Sequence, residues 1–491
     1  MSAPRLADVV AALGQAGQLV RAPREDFALL GVTDDSRGVR EGYLFCAVEG
    51  SARDGHAFVE DAAHRGAAAA LVTRHLPDVA IVQVLVGDSR VAAGVAAATW
   101  HGRPGDALRL VGVTGTNGKS TTVTLIRHLL NAEGRVGMLG TLGAVDSRGR
   151  SLPEGAGLTT PGPVELHLVL AELLIRGCDT VIMEASSHAL HQRRLAGLTY
   201  AAGVYTNLTH DHLDYHGDPD AYLAAKLLLS GQLADGGAEV VNQDDPAWSA
   251  LPRDARLRRV TFGLADDADV RASDVAHAAE GTDVTLHLGN SRSRCRLPLV
   301  GEFNVSNALG AAAAAWALGV DAKTVTERLA GAPQVPGRVE RLAAMHGWVV
   351  LRDYAHTPDA LAGVLQALRP LATGRLIALF GCGGDRDRTK RPVMGKIAAR
   401  GADVVIVTSD NPRTEDPERI LDDIEAGMEG AAHLRLVDRR EAIHRALGML
   451  EAGDCLVLAG KGHETYQIVG TERRPFDERT IVHDALGLSA A

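Results

Sequence analysis

The chain has 491 residues, 46% of them hydrophobic and 23% charged, and a formal net charge of −10. That length exceeds what one core organises and suggests about three domains. The ordinary globular composition argues against disorder, and the acidic balance without a Lys/Arg block argues against nucleic-acid or anionic-membrane binding. The five cysteines (Cys46, Cys178, Cys295, Cys382, Cys455) are scattered with no C-x-x-C pair, so neither a disulfide framework nor a zinc site is expected, and a reducing cytoplasm fits. The N-terminal stretch lacks signal-peptide character, and no apolar run is long enough for membrane insertion.

Residues 1–104 read as a small α/β domain. Strand-like runs lie at Leu44–Val48, Ala68–Val72 and Ile81–Val86, with a helix over Ala57–Arg65 and another from Asp88, as its cap, to His101. Asp34, Asp35, Ser36 and Arg37 occupy a polar loop before the first strand. Ser and Arg there could hold a phosphate or a uracil edge, though composition alone favours a turn with a side-chain cap. Residues 101–109, with Gly, Pro and Gly, form a first linker.

Residues 105–336 form the central domain. An apolar run ending at Val113 meets Thr114-Gly115-Thr116-Asn117-Gly118-Lys119-Ser120-Thr121, and a helical pattern through Val123, Ile126, Leu129 and Leu130 follows. Strand, glycine-rich turn and Lys-Ser at a helix mouth suit nucleotide phosphates, because backbone N–H groups and the helix N-terminus both face the anion. Lys119 would reach the β/γ-phosphates and Ser120 would ligand Mg²⁺. The usual Walker spacing would place a glycine where Val113 stands, so the local form is G-x-x-G-K-S.

Further along, a strand over Asp179–Met183 ends at Glu184. A carboxylate at that strand end, downstream of a phosphate loop, is placed to ligand Mg²⁺ or else caps a loop. The run from His210 to His216 holds three histidines and two aspartates. Zinc is disfavoured for want of further ligands, whereas one histidine beside a Mg²⁺-bound phosphate fits. Lys226 lies in an expected helix over Asp220–Leu233, where its amine either snorkels to water or serves the site. Arg258–Val300 alternates as antiparallel β. Asn304 and Asn307 then share one face of an Ala-rich helix, to meet an adenine or to cap the helix. Residues 332–338, with two prolines and a glycine, are the second linker.

Residues 337–491 alternate strand and helix, implying a Rossmann-like, mainly parallel sheet. Strand-like runs cover Trp348–Leu351, Leu376–Phe380, Val404–Thr408, Leu434–Val437 and Cys455–Ala459. Three of them run into polar clusters: Gly381–Asp387 with Arg386; Asp410, Asn411, Pro412 and Arg413; and Gly460–Glu464. In a parallel sheet these ends lie along one edge, and their mix of acids and bases suits a zwitterionic ligand. Gly381–Gly384 is not G-x-G-x-x-G, so a nicotinamide cofactor is poorly supported.

The runs TGTNGKS, MEASSHAL, NLTHDHLDYHG, AYLAAK, GEFNVSNALGA, PGRVE, DYAHTPDAL, FGCGGDRDRTKRPVMG, SDNPRTEDP and AGKGHETYQ, in this order, together resemble the Mur ligase family from about Asp34 to about Gln467. The DNPR run, Asp410–Arg413, resembles the meso-diaminopimelate-adding type. The resemblance implies a cytoplasmic, monomeric, ATP-dependent amide ligase of peptidoglycan precursor synthesis. It would act on a UDP-muramoyl-dipeptide and meso-diaminopimelate, using ATP and two Mg²⁺ ions.

It further implies that Lys226 is carbamoylated (N6-carboxylysine) and holds one Mg²⁺ with His212, while Ser120 and Glu184 hold the other. Lys119, Glu184, His212, Lys226 and Arg338 would be the catalytic set. The loop Thr114–Thr121 with Asn307, Arg338 and Asp353 would bind ATP. Asp34, Ser36, Thr159, Thr160, Ser186, Gln192 and Arg194 would take the UDP-muramoyl-dipeptide. Arg386, Asp410, Asn411, Pro412, Arg413, Gly460 and Glu464 would take diaminopimelate. Two stretches depart from the family pattern: Tyr43 stands where Asp is common, and Ser51-Ala52-Arg53 replaces a His-containing loop. Related ligases, a catalytically silent nucleotide-binding regulator and a nicotinamide oxidoreductase are the competing readings. They are told apart by which amine, if any, drives phosphate release.

Overall fold

The structure is a computed structural model that describes residues 4–50, 53–155, 157–209, 211–278 and 280–488; Ser51, Ala52 and His210, singled out above, lie outside them. The chain divides into two compact units, Met1–Phe262 with Ala313–Val320, and Gly263–Ala312 with Asp321–Ala491.

In the first unit a five-stranded sheet runs in the order Leu19–Arg21, Val82–Val86, Ala69–Val72, Tyr43–Cys46, Gly31–Thr33. Asp88 caps the helix Ser89–Trp100 by accepting from the N–H groups of Arg90 and Val91. That helix buries Ala92, Ala93, Ala96 and Ala97, small side chains that let it sit close to its neighbours. One neighbour is the helix Pro163–Ile175. Residues 101–109, expected as a linker, contain a short helix, Pro104–Ala107, with proline in its first turn where the missing N–H costs nothing.

The second sheet of this unit runs Arg258–Gly263, Leu233–Asn242, Tyr200–Tyr205, Arg109–Thr114, Thr180–Glu184, Val136–Gly140, Gly143–Val145. All its pairs are parallel except the last, which closes the edge as a hairpin. Thr180–Glu184 and Val136–Gly140 are buried throughout, which explains the apolar run Val181–Met183 and the lack of polar alternation in both. The strand Arg109–Thr114 sits between Thr180–Glu184 and Tyr200–Tyr205, so the loop leaving it opens at a reversal of strand order, where open α/β sheets bind ligands.

Two expectations fail here. The helix carrying Lys226 spans Pro219–Leu227 and stops short of Leu233, which starts a strand. A turn at Ser230–Gln232 intervenes, and Ser230 donates to Glu239 of that strand. Arg258–Gly263 is parallel to Leu233–Asn242, not antiparallel, because the connection through Pro246–Ala250 carries the chain back before it pairs.

In the second unit Val270–Ala278, Gly281–Leu288 and Ser291–Leu297 form the expected antiparallel segment. A six-stranded sheet follows, in the order Glu340–Met345, Trp348–Asp353, Cys455–Ala459, Leu376–Phe380, Val404–Val407, Leu434–Arg435. It is parallel apart from Glu340–Met345, an edge strand hidden in the sequence by its Ala-Ala pair and formed by hairpin pairing with Trp348–Asp353. Thr357 caps Pro358–Leu368 through a hydrogen bond from Ala360 N–H, as the sequence predicts. A hairpin of Tyr466–Val469 and Glu472–Pro475 was not foreseen. Among the described residues no helix is long and apolar enough to cross a membrane.

Candidate functional site

The loop after Arg109–Thr114 is shaped by two glycines. Gly115 has φ +142°, and a Cβ there would run into the Thr206 hydroxyl. Gly118, at φ +84°, caps the helix Lys119–Leu130. The loop is laced to the next strand end: Thr116 N–H donates to the Asn207 carbonyl at 2.7 Å, Asn117 N–H to Asn207 Oδ1 at 2.9 Å, and the Thr206 hydroxyl to the Asn117 carbonyl at 2.7 Å. Lys119 Nζ folds back on the carbonyls of Gly115 and Thr116 at 2.9 and 2.7 Å. Ser120 is buried in the first turn.

Lys226 does not snorkel. It is 1% exposed, lies 4.3 Å from the centre of the Tyr222 ring, and donates to the Gly115 carbonyl at 2.8 Å. Burial holds its pKa well below the usual lysine value, the Lys119 charge lowers it further, and Asp211 opposes both. Tyr222 also donates to Thr116 Oγ1 at 3.1 Å, so this ring, unmarked in the sequence, joins the lysine helix to the phosphate loop.

Glu184 is buried at its strand end. It accepts from Thr141 N–H at 2.8 Å and from the Thr141 hydroxyl at 3.2 Å, and a Cβ at Gly140 would occupy the carboxylate's space. This carboxylate, given room by Gly140, and the Ser120 hydroxyl are hard oxygen donors of the kind Mg²⁺ takes beside water and phosphate oxygens. His212 is exposed at φ +53°, edge-on to His188 at 4.7 Å. Partial burial and then the charge of Lys119 lower its pKa, against Asp211, favouring the neutral ring a metal needs. Among the described residues no group of three or more His, Cys, Asp or Glu is placed to hold a metal ion.

The residues expected to take the dipeptide form one chain. Thr141 and Thr159 share a hydroxyl contact at 3.0 Å; the Thr160 hydroxyl donates to the Glu184 carbonyl at 2.8 Å and lies 3.2 Å from Ser186 Oγ. Arg194 donates to the Thr160 carbonyl at 2.7 Å and grips Gln192, which donates to Tyr215 at 2.9 Å. Asp34 Oδ2 lies 3.4 Å from where a Gly162 Cβ would stand, bringing the N-terminal loop to the same stretch. In that loop Asp35 caps the turn Ser36–Gly38 through Arg37 N–H, leaving Ser36 half-buried.

In the second unit Asp353 is buried at the end of Trp348–Asp353, accepting from Val339 and Ala355 N–H at 2.8 Å each. Burial pushes its pKa up to about 6, opposed by Arg338 and these two bonds. Arg338 lies over the Tyr354 ring at 5.0 Å. Asn307 donates to Asn304, which itself donates to the Val300 carbonyl at 2.9 Å and so ties the helix start to the incoming chain.

The three polar clusters at the sheet edge converge. Asn411 Nδ2 donates to Glu464 at 2.8 Å, and Lys461, fully buried, donates to Glu464 at 3.1 Å and Asn411 Oδ1 at 3.2 Å. Arg413 donates to the Gly384 carbonyl at 2.7 Å, and a Cβ at Gly384 would meet the Pro412 carbonyl. Arg386 is exposed beside Gly383. Asp410 is buried, yet among the described residues its Oδ2 accepts no hydrogen bond; Gly460, with no side chain, keeps the space before that oxygen open. Such an orphan carboxylate oxygen suits a cationic ligand.

Sequence reasoning missed the frame beneath these loops. Arg439, fully buried, donates to Glu478 at 2.8 Å, to the Ala459 carbonyl at 2.9 Å and to the Ser409 carbonyl at 3.3 Å, fastening the strand ends just before Gly460 and Asp410. Arg391 similarly joins Glu415 and Asp423 to the Gly383 carbonyl. Both arginines sit in charged helix starts that read as surface. Lys461, between two glycines, was the one visible signal.

Comparison with known proteins adds independent findings. Residues 29–100 match the family described as Mur ligase family, catalytic domain, residues 113–315 the Mur ligase middle domain, and residues 337–462 the Mur ligase, glutamate ligase domain. The chain is 44% identical to a UDP-N-acetylmuramoyl-L-alanyl-D-glutamate--2,6-diaminopimelate ligase of Gloeobacter violaceus, covering 94% of each chain. It is 43% identical to the protein so named from Geobacillus kaustophilus, over 92% of this chain and 94% of that one. A solved structure of a ligase of that name superposes with a TM-score of 0.67 at 35% identity, covering 94% of this chain and 95% of the other. A Mycobacterium tuberculosis folylpolyglutamate synthase complexed with ADP shares the fold, with a TM-score of 0.61 at 19% identity over 75% of this chain and 92% of that one.

Proposed function

The chain belongs to the Mur ligase family of ATP-dependent ligases, and we propose that it joins meso-diaminopimelate to the D-glutamyl carboxylate of UDP-N-acetylmuramoyl-L-alanyl-D-glutamate. A carboxylate oxygen attacks the γ-phosphorus of ATP and ADP leaves, giving an acyl phosphate. The amine nitrogen then attacks the acyl carbon, phosphate leaves, and the nitrogen gives up a proton. The protein's part is positioning and charge neutralisation.

In this reading the backbone of Thr114–Thr121 and Lys119 cradle the β- and γ-phosphates, Asn307 and Asp353 hold the nucleoside, and Arg338 meets the phosphates. Ser120 and Glu184 would hold one Mg²⁺; His212 and a carbamoylated Lys226 would hold a second. Bound there, Mg²⁺ supplies neutralisation of the charge that otherwise keeps a carboxylate from ATP. The buried, deprotonation-prone Lys226 amine supports the carbamate, since only a neutral amine adds to CO₂. Asp34, Ser36, Thr159, Thr160, Ser186, Gln192 and Arg194 would orient the UDP-muramoyl-dipeptide. We read three domains, 1–104, 105–336 and 337–491, supported by the three matched stretches.

The observation that carries the choice of amine is the unpartnered Asp410 Oδ2 beside Arg413 and the exposed Arg386. One carboxylate for an ammonium and two guanidinium groups for carboxylates fit a diamino diacid. Phosphate release measured with a panel of amines tests it. Turnover must require diaminopimelate together with ATP and the UDP-muramoyl-dipeptide; turnover with D-alanyl-D-alanine instead would overturn the proposal.

A further inference from the structure

The hairpin of Tyr466–Val469 and Glu472–Pro475 is tied to the Asp410–Arg413 loop by four hydrogen bonds. Gln467 Nε2 donates to the Asp410 carbonyl at 2.7 Å, and Ile468 N–H donates to Asn411 Oδ1 at 2.9 Å. Arg413 N–H donates to the Ile468 carbonyl at 3.0 Å, and Gly470 N–H donates to the Arg413 carbonyl at 2.7 Å. Arg413 and Val469 thus form a parallel bridge.

Arg413 needs that support. Its φ of +52° lies in the left-handed region, which residues bearing a Cβ disfavour. Both of its backbone polar groups are taken by the hairpin, and in that conformation its guanidinium reaches the Gly384 carbonyl on the neighbouring cluster. A two-stranded hairpin is marginal alone, and the outer strand Glu472–Pro475 is exposed at each position, so it buries no core of its own. Strained backbone held in place by surrounding structure is characteristic of ligand clamps.

We propose that this hairpin is a positioning element for amino-acid binding, holding Arg413 in the backbone conformation that directs its guanidinium at a carboxylate of the diamino acid. Gln467 is its positioning residue, since its side chain fixes the start of the loop through the Asp410 carbonyl. The inference rests on the ligase reading above.

The test measures kcat and KM for each substrate in Gln467→Ala and Gln467→Glu, alone and, for the alanine change, in an Arg413→Ala background. Gln467→Glu sets an acceptor against the Asp410 carbonyl. The KM for diaminopimelate should rise about threefold to tenfold in Gln467→Ala and further in Gln467→Glu, with kcat and the KM for ATP little changed. In the Arg413→Ala background the alanine change should raise the KM by less than it does alone, because one of the groups held by this loop is gone. Should Gln467→Glu fail to fold, the alanine pair decides. Unchanged diaminopimelate KM in Gln467→Ala overturns the proposal, as does an equal rise for all substrates with a lowered unfolding midpoint. Wild-type protein that releases no phosphate with diaminopimelate overturns the ligase reading itself.

Discussion

The side-chain nitrogens of Lys119 and Lys226 donate to one and the same oxygen, the carbonyl of Gly115, at 2.9 and 2.8 Å. Two cationic groups so close repel, and the one with less water yields its proton. Lys226 is 1% exposed, so it is the one driven toward the neutral amine, leaving Lys119 as the cation of the phosphate loop.

A neutral Lys226 should take up CO₂. Incubation with ¹³C-bicarbonate should give a carbamate resonance that Lys226→Ala lacks. That variant should lose ligation by ~10²–10³-fold or more, with partial recovery on adding a short carboxylate. Undiminished activity in the variant would remove the carbamate.

Thr141 supports Glu184 with its N–H and its hydroxyl. Thr141→Ala keeps the first bond and deletes the second. Outer partners of metal ligands matter by about 10–100-fold in affinity, so the Mg²⁺ concentration for half-maximal rate should rise by about tenfold. A rate titration against Mg²⁺ that overlays the wild type would argue against Glu184 as a metal ligand.

Arg413→Ala should chiefly raise the KM for the diamino acid. The lost charge-assisted contact is worth roughly 1.5–3 kcal/mol, or about 10- to 100-fold. Steady-state kinetics with the amine varied would measure it, and an unchanged KM would show that the Asp410–Arg413 loop does not bind this substrate.

Asp353 gives a pH dependence. Its pKa is raised from 3.8 to about 6 by burial, so its contribution to folding is fully present below pH 3.8 and is lost as pH rises through about 6. Between pH 5 and pH 8 the stability difference between wild type and Asp353→Asn should shift by about 1 kcal/mol against the wild type. Denaturant unfolding at the two values checks this. ATP binding should also weaken as pH falls through about 6 in the wild type and not in the variant.

Much of this was legible in the residue order. The βα alternation of 337–491, the Asp88 and Thr357 caps, and the strands Leu376–Phe380 and Cys455–Ala459 appear where periodicity and capping residues put them. The glycine-rich loop and its Lys-Ser stood out because their chemistry is local. The turn at Ser230–Gln232, the edge strand Glu340–Met345 and the hairpin after Glu464 did not: a serine bonded to Glu239, a strand interrupted by Ala-Ala and a hairpin tied through Gln467 to Asp410 carry no local periodic signal.

By itself the sequence determined the fold class, the family and the kinds of chemical group present, because propensity, periodicity and motif are written in adjacent residues. Only the tertiary structure decided the state of those groups. From its residues alone Lys226 read rather as a snorkelling lysine; burial and the shared Gly115 carbonyl remove its water and set it beside Lys119. Arg439, which no local motif marks, is the buried tie between two strand ends. Desolvation and hydrogen-bond partnership depend on which distant segments pack together, and no local pattern in the chain encodes them.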